Sequence, residues 1–219
     1  MKKEKILSIS LLMVGVLLLF SLAAMSVNLP TKYLKYKNEQ CDHAASQLQF
    51  EGNLDEYTKQ YAIYSFNKVP EEYTDLLSEW EVIITNENIA RLVASKDYAF
   101  NENTIAFSGN RYSGVTLLKD EEIYISGTPE NIDSSMLHEI GHAIEKSLGY
   151  PSKKEEFIRI YEEEKDLIFI EDNQEYYKST NREYWAECFE MFISEPTRLQ
   201  ENGPRTYEYM REVLGNKEN

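Results

Sequence analysis

Residues 133–149 read Asp133-Ser134-Ser135-Met136-Leu137-His138-Glu139-Ile140-Gly141-His142-Ala143-Ile144-Glu145-Lys146-Ser147-Leu148-Gly149. The apolar spacing predicts a helix, capped by Asp133 or Ser134 and ended by Gly149 and the following Pro151. His138 and His142 are four residues apart, so on a helix they share one face, about 40° apart and one turn above the other. Two imidazoles on neighbouring turns can bite one metal ion. Zinc takes such nitrogen ligands and, in catalytic sites, keeps one position open for water. Glu139 projects beside that face, where a carboxylate can take a proton from water. Gly141 costs roughly 1 kcal/mol of helix propensity relative to alanine, which points to close packing or access rather than to helix stability. The chain has three histidines, and two of them are in this motif.

Two histidines and a base leave a zinc site one ligand short. A third histidine six residues after His142 would fall at position 148, which is Leu148. His43 is far upstream in polar sequence and reads as an exposed bystander. The remaining source is a carboxylate on a later helix. The segment Thr180-Asn181-Arg182-Glu183-Tyr184-Trp185-Ala186-Glu187-Cys188-Phe189 puts Glu183 and Glu187 on one helical face. With Glu190 they form an acidic stripe opposite Tyr184, Trp185, Cys188 and Phe192, the pattern also expected of a solvated helix side. Spacing leaves both readings, and both glutamates, open.

Around these two segments the chain reads as one α+β domain. Leu54, Tyr57, Tyr61 and Tyr64 recur at helical spacing, and Pro70-Glu71-Glu72 opens a second helix. Trp80 to Thr85 is β-rich, a short helix follows over residues 86–94, and strands are expected at 104–107, 115–118 and 123–126. Further helices fit residues 155–168, 181–193 and 206–214. The expected layout is N-terminal helices and a small mixed sheet, followed by a helical C-terminal half carrying the site.

Met1-Lys2-Lys3-Glu4-Lys5 gives a positive start, and Ile6 to Ala24 then runs without a charge, with small residues suited to cleavage after it. Residues 1–27 are therefore expected to be a signal peptide or an N-terminal membrane anchor. Either form exports the remainder, as a secreted protein or one held on the outer face of the cytoplasmic membrane. Residues 28–50 read as a linker, and residues 51–219 as the working domain. The net charge of −15 becomes −17 without the local +2 of residues 1–26, which excludes nucleic acid as a partner. Cys41 and Cys188 do not make a disulfide framework, and Cys188, among apolar residues, is expected to be a buried free thiol.

The combination of His138-Glu139-Ile140-Gly141-His142 with Glu183-Tyr184-Trp185-Ala186-Glu187-Cys188-Phe189 resembles the catalytic domain of the anthrax lethal factor family. In size and layout the chain is closest to its short exported Pro-Pro endopeptidases. The specific match covers about residues 133–192. The resemblance implies an exported zinc metalloendopeptidase with one Zn2+ per chain, acting on a protein or peptide substrate at the cell surface or outside the cell. It implies His138, His142 and Glu183 as zinc ligands, a gluzincin set, and Glu139 as general base. Glu187 would hold the free N–H of a histidine ligand. Tyr176, seven residues before Glu183, would reach the oxyanion, with the adjacent Tyr177 as the alternative. A preference for proline-containing sites is implied, and a zinc-binding or adhesion module without activity is the competing reading. The Ile123-Tyr124-Ile125-Ser126 strand is expected to pair with an extended substrate.

Overall fold

The run Val82-Ile83-Ile84 and the alternation Ile123-Tyr124-Ile125 are rich in β-branched and aromatic side chains, which suit a pleated, covered surface. They form the two strands at the heart of the sheet. The structure, a computed structural model, describes residues 47–96, 104–105, 113–171 and 174–215. The expectations for residues 1–27, for Cys41 and His43, and for positions 106 and 107 of the strand expected at 104–107 lie outside the described residues. In chain order the strands are β1 (Leu48–Glu51), β2 (Glu81–Thr85), β3 (Thr104–Ile105), β4 (Gly114–Leu117) and β5 (Glu122–Ser126). The helices are α1 (Glu56–Phe66), α2 (Glu71–Thr74), α3 (Ile89–Ser95), α4 (Pro129–Ser147), α5 (Glu155–Ile168), α6 (Asn181–Ser194), α7 (Pro196–Asn202) and α8 (Pro204–Gly215). Among the described residues no helix is long and apolar enough to cross a membrane.

The sheet order is β1-β2-β5-β4-β3; β1, β2 and β5 are parallel, and β4 and β3 continue antiparallel. This is the α+β layout expected, with N-terminal helices, a mixed sheet and a helical C-terminal half. Register decides which side chains meet. Val82 lies opposite Ile123 and Ile84 opposite Ile125, and all four enter the main core with Ile132, Met136, Ile140 and Ile144 of α4. Ile83 and Tyr124, paired in the same register, face the other way with Val115 and Leu117, against Ile89 and Val93 of α3. The sheet is thus covered on both faces, by α4 on one and α3 on the other.

Three expectations change. The helix carrying the histidines starts at Pro129, not at Asp133 or Ser134. Thr128 is its cap, accepting from Asn131 N at 3.3 Å, and Pro129 at the first position suits a turn whose N–H groups have no helical partner. Asp133 sits inside α4 and accepts instead from Tyr61 and Lys68 at 3.1 and 3.3 Å. Residues 48–50, read as linker, belong to β1, which pairs in parallel with β2. The Ile123-Tyr124-Ile125-Ser126 strand is not available to a substrate: β5 is hydrogen-bonded to β2 on one edge and β4 on the other. Alternation identified a strand, but an alternating strand can be central or edge, and only pairing tells which. The helix over 196–202 was not anticipated; Pro196 starts it directly after α6.

Candidate metal centre

α4 and α6 carry the site and cross at very short range. A Cβ at Gly141 would stand 3.0 Å from Ala186 Cα, 3.1 Å from Ala186 O and 3.2 Å from Phe189 Cβ. Trp185, fully buried, donates from its indole N–H to Gly141 O at 3.1 Å. Glycine therefore sits in α4 because α6 backbone occupies the space a side chain would need. Gly141→Ala is expected to lower the unfolding free energy by about 1–3 kcal/mol, overpacking outweighing the gain in helix propensity. Chemical denaturation reads the sign, and a stabilised variant would contradict this account.

His138 and His142 meet with ring centroids 4.9 Å apart and ring planes at 85°. Glu183 reaches them from the first turn of α6. Thr180 caps that helix, its hydroxyl accepting from Glu183 N at 3.2 Å. A glutamate at this capping-box position commonly turns back to the cap. Here the carboxylate lies against the histidines instead, Glu183 Oε2 standing 3.2 Å from His138 Nε2 and 3.5 Å from His142 Nε2. All three residues are buried and could together hold a metal ion. For zinc bonds of about 2.0–2.1 Å, the edge of a tetrahedron is about 3.3–3.4 Å, which matches these separations. His142 strengthens the fit: both its ring nitrogens are buried and make no hydrogen bond. A buried imidazole without partners is costly unless something binds it.

Of the two glutamates the sequence left open, Glu183 lies at the Nε2 side of both rings, while Glu187 Oε2 is 3.1 Å from His138 Nδ1. His138 is thus gripped at both nitrogens. Burial alone would lower its pKa, but the hydrogen bonds to Glu183 and Glu187, with the charges of Glu183 and Glu139, raise it well above the usual histidine value. Burial would likewise raise Glu183; His142 and His138 outweigh it and hold the carboxylate well below the usual range. Glu190, one turn after Glu187, is pushed up to about 7 by burial and by the Glu187 charge. The acidic stripe is therefore not a solvated side: Glu183 is buried, and Glu187 and Glu190 are partly so.

Both loop tyrosines flank the site. The Tyr176 ring lies 6.4 Å from His138 and the Tyr177 ring 5.9 Å. Tyr177 packs on Phe169 at 5.8 Å against the core, and burial, then the charges of Glu187, Glu190 and Glu183, push its pKa up to about 12. Cys188 is buried and free, and burial holds its thiol protonated.

Glu139 is buried on the sheet side of α4. Burial raises its pKa, partly offset by His138, His142 and Thr116. Two neighbours from β4 escaped the sequence reading. Thr116 Oγ1 stands 2.6 Å from Glu139 Oε2 and 3.0 Å from Glu139 O. Gly114 lies beneath the same side chain, where a Cβ would be 2.7 Å from Glu139 Cγ. A glycine opening a strand is a signal of close approach, though not of what approaches. Glu145, fully buried one turn after His142, was also missed. It accepts from Ser152 Oγ and from Arg182 Nε, the latter at 3.1 Å.

A family model described as "Anthrax toxin lethal factor, N- and C-terminal domain" matches residues 51–213. No curated protein matches the chain. Among solved structures, the Pro-Pro endopeptidase from Paenibacillus alvei is similar at a TM-score of 0.61 and 18% identity, over 78% of this chain and 98% of that one. At this identity the likeness is one of fold.

Proposed function

The chain belongs to the anthrax toxin lethal factor family, and from that premise we propose that it is an exported zinc metalloendopeptidase that cleaves protein or peptide substrates. The observation that carries this reading is the buried His138–His142–Glu183 group, with an unbonded imidazole at His142 and a carboxylate, Glu139, on the adjoining helix position. His138, His142 and Glu183 would hold the ion. A zinc ion bound there supplies Lewis acidity, polarising a peptide carbonyl and acidifying water.

The chain's own side chains do the rest. Glu139 removes a proton from the attacking water as its oxygen bonds the carbonyl carbon. It then delivers that proton to the nitrogen as the C–N bond breaks, leaving a carboxylate and an amine. Glu187 accepts the Nδ1–H of His138, which fixes the tautomer and would leave the Nε2 lone pair for the ion. Tyr176 donates its hydroxyl to the oxyanion, while Tyr177 serves packing against Phe169. Residues 1–27 export or anchor the chain, and the domain that begins at β1 catalyses outside the cytoplasm. A preference for proline-containing sites fits the kinship in fold with a protein described as a Pro-Pro endopeptidase.

The test is digestion of a mixed peptide library, including proline-rich members, by the purified protein with measured zinc content. The expected result is one zinc per chain and cleavage that a chelator stops and added zinc restores. The bonds cleaved define the specificity. Stoichiometric zinc without any cleavage would replace the peptidase by a binding module, and no zinc would remove both.

A further inference from the structure

We propose that Thr116 is a positioning residue for hydrolysis: its hydroxyl holds one carboxylate oxygen of Glu139 so that the other faces the reacting water. This rests on the reading of Glu139 as the base. The sheet register prepares the contact. Gly114 lies opposite Ile125 and Thr116 opposite Ile123, so both belong to the sheet face that α4 covers. Thr116 is fully buried, and its hydroxyl meets two acceptors on one residue, Glu139 Oε2 at 2.6 Å and Glu139 O at 3.0 Å. A hydroxyl has one hydrogen, and neither a carboxylate nor a carbonyl can donate. The shorter contact, to the group that carries charge, takes the larger share of that hydrogen.

Gly114 explains how the side chain comes to lie there. Its absent Cβ would stand 2.7 Å from Glu139 Cγ and 3.0 Å from Oε1. The glutamate therefore lies along β4, with Oε1 above Gly114 and Oε2 at Thr116. The helix places the Glu139 backbone, but the strand places its carboxylate. A glutamate has three side-chain torsions, and a base is effective only when its oxygen is held within hydrogen-bond reach of the proton it takes. Threonine suits the task because its β-branched side chain is stiff at χ1, so the hydroxyl is aimed by the strand itself. The geometry makes Oε2 the held oxygen and Oε1 the working one.

A purely structural threonine would need only the backbone carbonyl of Glu139, and the test separates the two. Thr116→Val keeps shape and strand preference and removes the hydroxyl; Thr116→Ser restores it. With the full chain, zinc content, kcat and KM are measured on a cleaved peptide, and the crystal structure of the valine variant is determined. The expected result is unchanged zinc and KM, a kcat lower by about ten- to a hundredfold in Thr116→Val, recovery to within about threefold in Thr116→Ser, and a displaced Glu139 carboxylate. Wild-type kcat in the valine variant overturns the proposal, as does a Glu139 carboxylate that has not moved. If the wild-type chain cleaves nothing, the peptidase reading fails, and the carboxylate position in the variant still decides the role of Thr116. Thr116→Ala supplies the same measurements if the valine variant does not fold.

Discussion

Glu139→Gln is expected to lower kcat for peptide hydrolysis by about 10²–10⁴-fold with zinc still bound. Glutamine has nearly the shape of glutamate, and its carbonyl oxygen can still accept from Thr116, which stands 2.6 Å from Glu139 Oε2. The three residues that could hold the metal are untouched by the change. What is lost is the ability to accept and return a proton, so the whole of the base's contribution goes at once. Thr116→Val, by contrast, leaves a base that is present but less well aimed, and its expected loss is smaller. The check is a kinetic comparison at matched zinc content. A glutamine variant that cleaves at near the wild-type rate would require another base.

The largest stability effect is expected at Glu145. This residue is fully buried on α4, three positions after His142, and accepts from Arg182 Nε at 3.1 Å and from Ser152 Oγ. Arg182 immediately precedes Glu183 on α6 and also lies over the Tyr150 ring at 5.7 Å. Glu145→Ala leaves a mostly buried guanidinium without its carboxylate, a change that costs about 3–5 kcal/mol when one partner of a buried pair is removed. The bridge joins the helix bearing His142 to the turn bearing Glu183, so zinc affinity should fall along with stability. Denaturant unfolding of Glu145→Ala, Arg182→Ala and the double variant tests this. The single losses should sum to more than the double, because either change breaks the same pair. Small additive losses would show that the bridge does not join the two helices energetically.

How far the site was readable depended on how far apart its parts lie in the chain. His138, Glu139 and His142 lie within one and a half turns of one helix, and helical geometry is a property of consecutive residues. The role of Gly141 was half readable: its cost in a helix signalled a reason, and the reason proved to be the backbone of Ala186. Glu183 and Glu187 could not be ranked by spacing, since they share a helix face; resemblance to a family favoured Glu183. The structure separates them by which imidazole nitrogen each approaches, Nε2 for Glu183 and Nδ1 for Glu187. The helix start was misplaced because Asp133 and Ser134 are good caps in isolation, while Thr128-Pro129 offered a cap with a preformed first turn five residues earlier.

By itself the sequence determined the α+β class, the helix that pairs two histidines with a carboxylate, and the acidic character of the chain. Each follows from short-range periodicity or from composition, which need no knowledge of what packs against what. Tertiary structure alone decided that β5 is central rather than a substrate-pairing edge, since strand alternation is the same in both positions. It alone brought Glu183 to His138 across 45 residues and Thr116 to Glu139 across 23. Those contacts arise because α4 is packed between the sheet and α6. The residues that meet His138 and Glu139 lie on the two surfaces that enclose the helix, at distances along the chain that no local pattern spans.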